Sequence, residues 1–476
     1  MSTLPAAPNL PEKPSTIIVG GGLAGLAAAT TLSTAGLPVI LLETRPRLGG
    51  RASSFVDQST GEQIDNCQHV SLGCCTHYDW LCQQLAISDQ FHNWQELSFV
   101  GPDGRISRLK NSWLPAPLHL TGALCRLKYL TWKDRLAIAR GMRALVQTAH
   151  QGPVVNEQAF SEWLAGTRQT ANAVGRFWQV VLVSALSETL ENITVAHARK
   201  VFVDAFLIHR GGWHVRTPAL PLDSLYGRAV EQWAEHNTVD LRLKCGVRAI
   251  RCEADRCLGV ELRSGEFLPA DAVVSTVPYY QLPPLLADGP LQDHPTVKAL
   301  SQLESAPISS VHLWFDRPVV PLPHAVLIDR LSQWVFARNV DPANGRYYYQ
   351  VVISASRDLA GRNQHEIAAE VIAELADIWP IINEAQLLHQ RVVTEHRAVF
   401  SVRPGADALR PVQQSPISNL QWAGDWTQTG WPATMEGAVR SGIAAGSNVL
   451  RQYGLSSPPL PADRIASPLA SALLRL

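Results

Sequence analysis

The sequence predicts an α/β protein in which a Rossmann-like dinucleotide-binding domain is interleaved with an α+β second domain. Two stretches at opposite ends of the chain predict this. Ile17-Ile-Val-Gly-Gly-Gly-Leu-Ala-Gly-Leu-Ala-Ala-Ala29 runs from a short apolar strand into Gly20-x-Gly22-x-x-Gly25 and then a small-residue helix. Trp422-Ala-Gly-Asp-Trp-Thr-Gln-Thr-Gly-Trp-Pro-Ala-Thr-Met-Glu-Gly-Ala-Val-Arg-Ser-Gly442 reads as a buried strand, a glycine turn and a second small-residue helix. A third observation is the alternation of helical and strand patterns between them.

The first element, Thr16 to Val19, has the apolar β-branched character of a buried parallel strand. Gly20 allows the tight turn, Gly22 lets backbone approach a pyrophosphate, and Gly25 lets the helix pack on the strand. The helix that opens at Leu23 and Ala24 offers unpaired N–H groups and a positive dipole end to phosphates. Leu37 to Leu42 follows as the second strand and ends at Glu43. The 23 positions from Gly20 to Glu43 match the spacing of about 20 residues expected for a ribose-binding acid.

Composition bounds the rest. A chain of 476 residues suggests two or three domains, and 46% hydrophobic against 17% charged residues makes large cores. With 41 basic and 41 acidic residues, no nucleic-acid partner is implied. Eight cysteines form no CxxC pair and no metal spacing with histidine, so no metal centre is expected. Met1 to Pro14 is Pro-rich and polar rather than an apolar signal. Together these features predict reduced thiols and a cytoplasmic chain. No segment reaches the roughly 18 uninterrupted apolar residues of a membrane span.

Taken together, the two end motifs resemble the two ends of the FAD cradle in the flavin amine oxidase and carotenoid desaturase superfamily. The resemblance implies FAD as cofactor and an amine oxidase or p-hydroxybenzoate hydroxylase-like architecture. Leu48-Gly49-Gly50-Arg51-Ala52 resembles the superfamily's GGR element, which implies that Arg51 contacts the pyrophosphate while Gly49, Gly50 and Ala52 pass beneath the cofactor. A planar guanidinium suits a phosphate better than an ammonium does. Lys244-Cys-Gly-Val247 resembles the strand that covers the adenine; an ordinary sheet strand explains the same residues. The C-terminal motif implies that Gly424, Asp425, Ala433, Thr434 and Met435 face the flavin ring.

The expected division is 15–56, 216–285 and 417–453 for the FAD-binding domain, 57–215 and 286–416 for the substrate domain, and tails at 1–14 and 454–476. Helical patterns lie at Trp132 to Ala149, Glu157 to Ala165, Tyr226 to Asn237 and Gln364 to Ile378. Strand patterns lie at Ser309 to Asp316 and Tyr347 to Ser354. The tail carries a short apolar helix pattern at Ile465 to Leu474.

Thr60 to Gly73, with its Asp65-Asn-Cys-Gln68-His69 core, is similar to the corresponding hairpin of the squalene-associated FAD-dependent desaturases, the hydroxysqualene dehydroxylases of hopanoid synthesis. That resemblance extends from about Ser15 to Tyr453, with Cys67 where relatives commonly carry glycine. It implies an apolar C30 isoprenoid substrate whose hydroxyl is removed reductively to give squalene. Hydroxide leaves only when protonated, so the reaction needs a general acid. The candidates are His69 and Asp65, with Gln68 orienting. Asp65 as a turn cap and His69 as a core histidine are the plainer readings of the same residues. His214 and His312 are weaker candidates. The electron donor is NADPH or a separate reductase, since no second dinucleotide fingerprint is present.

Three rivals share the motifs: a carotenoid or phytoene desaturase, an amine oxidase, and a prenyl-binding escort protein without flavin. Thr434 stands where amine oxidases commonly carry tyrosine. A squalene-like substrate also implies peripheral association with the inner face of the cytoplasmic membrane. Trp113 to Trp132, flanked by basic residues, is the expected docking segment, with an ordinary core helix pair as the alternative.

Overall fold

The computed structural model describes residues 13–341 and 345–474. The first twelve residues of the expected leading tail lie outside the described residues.

A five-stranded sheet forms one centre of the molecule. Its strands, in spatial order, are Val239–Arg242, Val39–Leu42, Thr16–Val19, Ala272–Ser275 and Leu420–Trp422, all parallel. Three separated stretches of chain therefore build one sheet. Ile17, Ile18, Val273 and Val274 have no exposed surface, as expected of strands covered on both faces. Two helices pack together beside it, Leu23–Thr34 and Met435–Gln452. They meet at glycine: a Cβ on Gly442 would lie 2.1 Å from the Ala24 carbonyl oxygen. This contact joins the two end motifs physically.

The second centre is a seven-stranded mixed sheet. Its order is Leu387–Phe400, Ser305–Phe315, Arg346–Ser354, Trp334–Asp341, His324–Leu327, Glu96–Val100 and Ile106–Lys110. Helix Gln364–Ile378 covers one face through Ile367, Val371 and Leu375. The helices between residues 118 and 207 lie against the other part of the core, and two of them contain π-helical turns, Val174–Gln179 and Val201–Leu207.

Most expected elements are present within a few residues. One, the segment 113–132, differs. Val247–Glu253 is a sheet strand and lies in a separate three-stranded antiparallel sheet. Residues 113–132 form neither a long docking helix nor a helix pair. They contain a single turn, Leu118–Leu120, and a short helix, Thr121–Arg126. The stretch holds three helix-breaking residues, Pro115, Pro117 and Gly122, which interrupt helical hydrogen bonding. The tail carries its expected short helix, and its far end is docked. Ser467 bonds to the Ala116 carbonyl at 2.6 Å, and the helix Pro468–Leu474 brings Leu473 and Leu474 to the wall of the main cavity.

Candidate functional site

A cavity of about 1670 Å³ runs between the two sheets. Every expected cofactor position except Gly25 lines it, and so do Gln68 and His69. A single ligand pocket is usually about 300–1,000 Å³, so this volume accommodates a dinucleotide and a second, sizeable ligand.

One end is built from backbone. Gly20 has φ +110°, a conformation that favours glycine. A Cβ on Gly25 would sit 2.0 Å from the Gly20 carbonyl oxygen, so Gly25 serves helix packing. Gly22 is different. Its backbone is ordinary (φ −76°), and the nearest neighbour an added Cβ would meet is Gly50 Cα at 3.8 Å. Nothing in the protein demands glycine there. The gap between Gly22 and Gly50 is where a ligand would pass. The helix that starts at Leu23 has no side-chain cap, so its first-turn N–H groups are left for that ligand. Glu43 is buried, with Oε2 accepting from the Gly21 N–H at 2.7 Å and Oε1 from the Arg45 N–H at 2.8 Å. These bonds fix the carboxylate at the cavity wall with lone pairs to spare. The residues present fit an FAD pyrophosphate and ribose.

The other end is tied to the first by an ion pair. The Arg51 guanidinium donates to Asp425 Oδ1 at 2.5 Å and to the Ala398 carbonyl at 2.8 Å. The Met435–Gln452 helix opens with Thr434 as its cap, the hydroxyl accepting from the Gly437 N–H at 3.1 Å. Ala433 sits just ahead of the helix rather than within it. Val247 is buried on the cavity wall in its antiparallel strand.

The hairpin residues divide. His69 Nδ1 donates to the Cys67 carbonyl at 2.9 Å, which leaves Nε2 as an acceptor. Burial is the largest influence on its pKa and pushes it down, only partly offset by that bond and by Asp65. Gln68 donates through Nε2 to the His69 carbonyl at 3.0 Å, and its buried Oε1 has no partner among the described residues. Asp65, by contrast, is off the cavity wall and fully engaged. It accepts from the Ser54 hydroxyl at 2.7 Å, the Leu222 N–H at 2.8 Å and Arg338 at 2.8 Å. A carboxylate so occupied is an anchor for the hairpin rather than a proton donor to a ligand, which corrects the expectation that it supplies an acid. His214 and His312 also lie off the wall. His312 lies beside the stacked rings of Trp314 and Tyr348, its Nδ1 2.6 Å from the Tyr348 hydroxyl, and burial pushes its pKa down to about 3.

Two residues escaped the sequence reading. Arg410 is buried and bonds to the carbonyls of Thr427 at 2.6 Å and Trp431 at 2.8 Å, holding the loop that carries Asp425. Glu436, without exposed surface, accepts from the Tyr78 N–H at 2.7 Å and from Arg440 at 2.7 Å. Glu436 lies inside a recognised motif, so its position was visible and only its partners were not. Arg410 sits in no local pattern that would have marked it.

The cavity beyond the hairpin is apolar, walled by side chains such as Phe99, Leu124, Phe177 and Trp334. Leu120 and Leu124, expected on a docking face, are part of this wall.

The comparisons with known proteins agree with this geometry. The profile of the flavin-containing amine oxidoreductase family matches residues 23–450, and the chain belongs to that family. It is 27% identical to the 15-cis-phytoene desaturase of Synechococcus elongatus, over 94% of this chain and 99% of that protein. It is 28% identical to the chloroplastic 15-cis-phytoene desaturase of Solanum lycopersicum, over 95% of this chain and 80% of that protein. In fold it is similar to an oxidoreductase from Methanosarcina mazei, with a TM-score of 0.69 at 17% identity, covering 90% of this chain and 99% of that one. A cyclohexylamine oxidase from Brevibacterium oxydans gives a TM-score of 0.67 at 16% identity, covering 92% and 99%. The protein is a flavin-dependent oxidoreductase of the amine oxidase and carotenoid desaturase superfamily, and its cofactor is FAD.

Proposed function

We propose that this oxidoreductase removes the hydroxyl of hydroxysqualene reductively to give squalene. The observation that carries the reading is Gln68 Oε1, a buried acceptor with no partner among the described residues, next to His69, whose Nε2 is left as an acceptor, on the wall of a largely apolar cavity. A buried acceptor without a donor is costly, and a substrate O–H supplies one. A pure hydrocarbon does not.

Gly22, Gly50, Arg51 and the Leu23 helix terminus would hold the pyrophosphate, Glu43 the ribose, and Val247 the adenine. Gly424, Asp425 and the Ala433–Met435 turn would face the ring. Bound and reduced, FAD supplies hydride, which is cofactor chemistry. The protein's own contribution is the proton and the setting. His69 accepts the substrate O–H when neutral. Once protonated at Nε2, it donates to the departing oxygen, so that water leaves. Its lowered pKa makes the imidazolium a stronger acid, though a scarcer one at neutral pH. Asp65 positions this hairpin through Ser54, Leu222 and Arg338. The apolar arm takes the isoprenoid chain and excludes water. NADPH or a separate reductase would supply the electrons. A substrate this apolar would be drawn from a bilayer, with the protein peripheral to it.

The phytoene desaturase relatives favour a second reading, oxidation of a polyene. There His69 Nε2 would accept a proton instead of giving one. The test is anaerobic: photoreduced enzyme with hydroxysqualene, against oxidised enzyme with phytoene. Squalene formation with flavin reoxidation in the first supports dehydroxylation. Flavin reduction in the second with no reaction in the first supports desaturation.

A further inference from the structure

Charge is evenly balanced over the whole chain but not along it. Residues 101–147 contain nine Lys and Arg and only two Asp. Asp103 pairs with Arg105, and Asp134 is buried in the Thr131 cap with Thr170 and Asn172. Five of the cations converge. A groove of about 490 Å³ is lined by Arg108, Lys110, Arg126, Lys128 and Arg135, with Glu96 the acidic residue in it. Glu96 pairs with Arg108 at 3.2 Å. Among the described residues, Lys110, Arg126, Lys128 and Arg135 have no ion-pair partner. Arg135 lies 4.8 Å over the Trp132 ring, and its buried Nε has no hydrogen-bond partner.

The same elements face two ways. Strand Ile106–Lys110 puts Leu109 on the wall of the main cavity, and Leu124 and Leu127 do the same beside Arg126 and Lys128. Beside Arg135, Trp132 and Leu136 are 67% and 63% exposed, and Trp113, three residues past Lys110 in the chain, is 83% exposed, unusual for side chains of this size. On helix Trp132–Gln147, Trp132, Leu136 and Arg140 are exposed and lie off the cavity wall, while Met142, Arg143 and Val146 line the cavity.

We propose that this groove binds the headgroups of anionic lipids and seats the apolar arm of the cavity against a bilayer. The charge complementarity is one-sided, and the adjoining tryptophans and leucine suit the boundary between headgroups and acyl chains. Nucleic acid would match the cations but not the exposed apolar rim. The proposal rests on the reading of the cavity as a polyprenoid site, and its position explains how such a ligand enters without crossing water.

Flotation of the FAD-bound protein with vesicles tests it. Phosphatidylcholine vesicles are compared with phosphatidylcholine–phosphatidylglycerol vesicles. Binding to the anionic vesicles should be much the stronger and should weaken as salt is raised. Arg126→Gln with Lys128→Gln removes two charges from exposed positions, where misfolding is not expected. It should weaken anionic-vesicle binding by roughly 30-fold and leave flavin content and squalene uptake from neutral micelles unchanged. Lys110→Gln should give a smaller loss in the same direction. Equal binding to both vesicle types, or unchanged binding by the double variant, overturns the headgroup site. Failure of the unmodified protein to take up squalene from micelles instead counts against the polyprenoid reading, and the vesicle comparison still decides the groove.

Discussion

At Gly22 the surface offered to a ligand is backbone, whereas at His69, on the same cavity, it is side chain. The first is specified locally. Gly20, Gly25 and Glu43 build the turn, the helix contact and the carboxylate within one strand–helix–strand unit. The second is specified from afar. Asp65 is held by Ser54, Leu222 and Arg338, and the wall opposite comes from still other segments. A local motif therefore announces a cofactor cradle, while the chemistry beside it depends on which side chains are already occupied.

The contrast is sharpest at the glycines, where the largest effects are expected. Gly22→Val should fold but bind no flavin, because only a ligand occupies the space beside it. Gly25→Val should fail to fold, since the Gly20 carbonyl already fills the position of its Cβ. Absorbance of the purified flavin and circular-dichroism melting separate the two. A flavin-loaded Gly22→Val would break the cradle assignment.

At the hairpin, His69→Ala should lower turnover by about 10²–10⁴-fold, the usual share of a general acid, with flavin content unchanged. Asp65→Asn should cost less, because the amide preserves shape and one acceptor while losing the charge that faces Arg338. Equal losses in both would mean that Asp65 takes part directly. Further from the chemistry, Arg410→Gln leaves the Thr427 and Trp431 carbonyls without their buried donor. A destabilisation of about 2–3 kcal/mol is expected, with weaker flavin retention, measured by denaturant titration and by dialysis.

Furthest from catalysis, the last effect concerns pH and stability. His312 is held neutral by burial, with its pKa near 3 in the fold against 6.5 for an ordinary histidine. Below pH 6.5 the unfolded chain takes up a proton there that the folded chain does not. Stability should therefore fall with pH, by up to about 1.4 kcal/mol per unit from this one group, until the folded value is reached. His312→Phe should flatten that slope; an unchanged slope would place the titration elsewhere.

These comparisons also show what the sequence made legible. The parallel sheet and both end motifs were readable because each is encoded by contiguous residues of distinctive type. The strand Val239–Arg242 escaped because it is short and half polar. The short, broken helical form of residues 113–132 escaped because apolar content was visible, but the cavity that takes up Leu120 and Leu124 was not. Asp65 and Arg410 were unreadable for the same reason: their partners lie up to 273 and 21 positions away.

The central claim is that His69 gives a proton while hydride arrives from the cofactor. The most direct measurement is single-turnover squalene formation by photoreduced enzyme with hydroxysqualene, followed from pH 8 to pH 5 without oxygen. Burial lowers the His69 pKa below its ordinary 6.5, so the rate should climb as the pH falls through that range, and His69→Ala should abolish the climb. A rate that falls with acid, as a neutral imidazole acting as a base would give, or no squalene at any pH, would contradict the account.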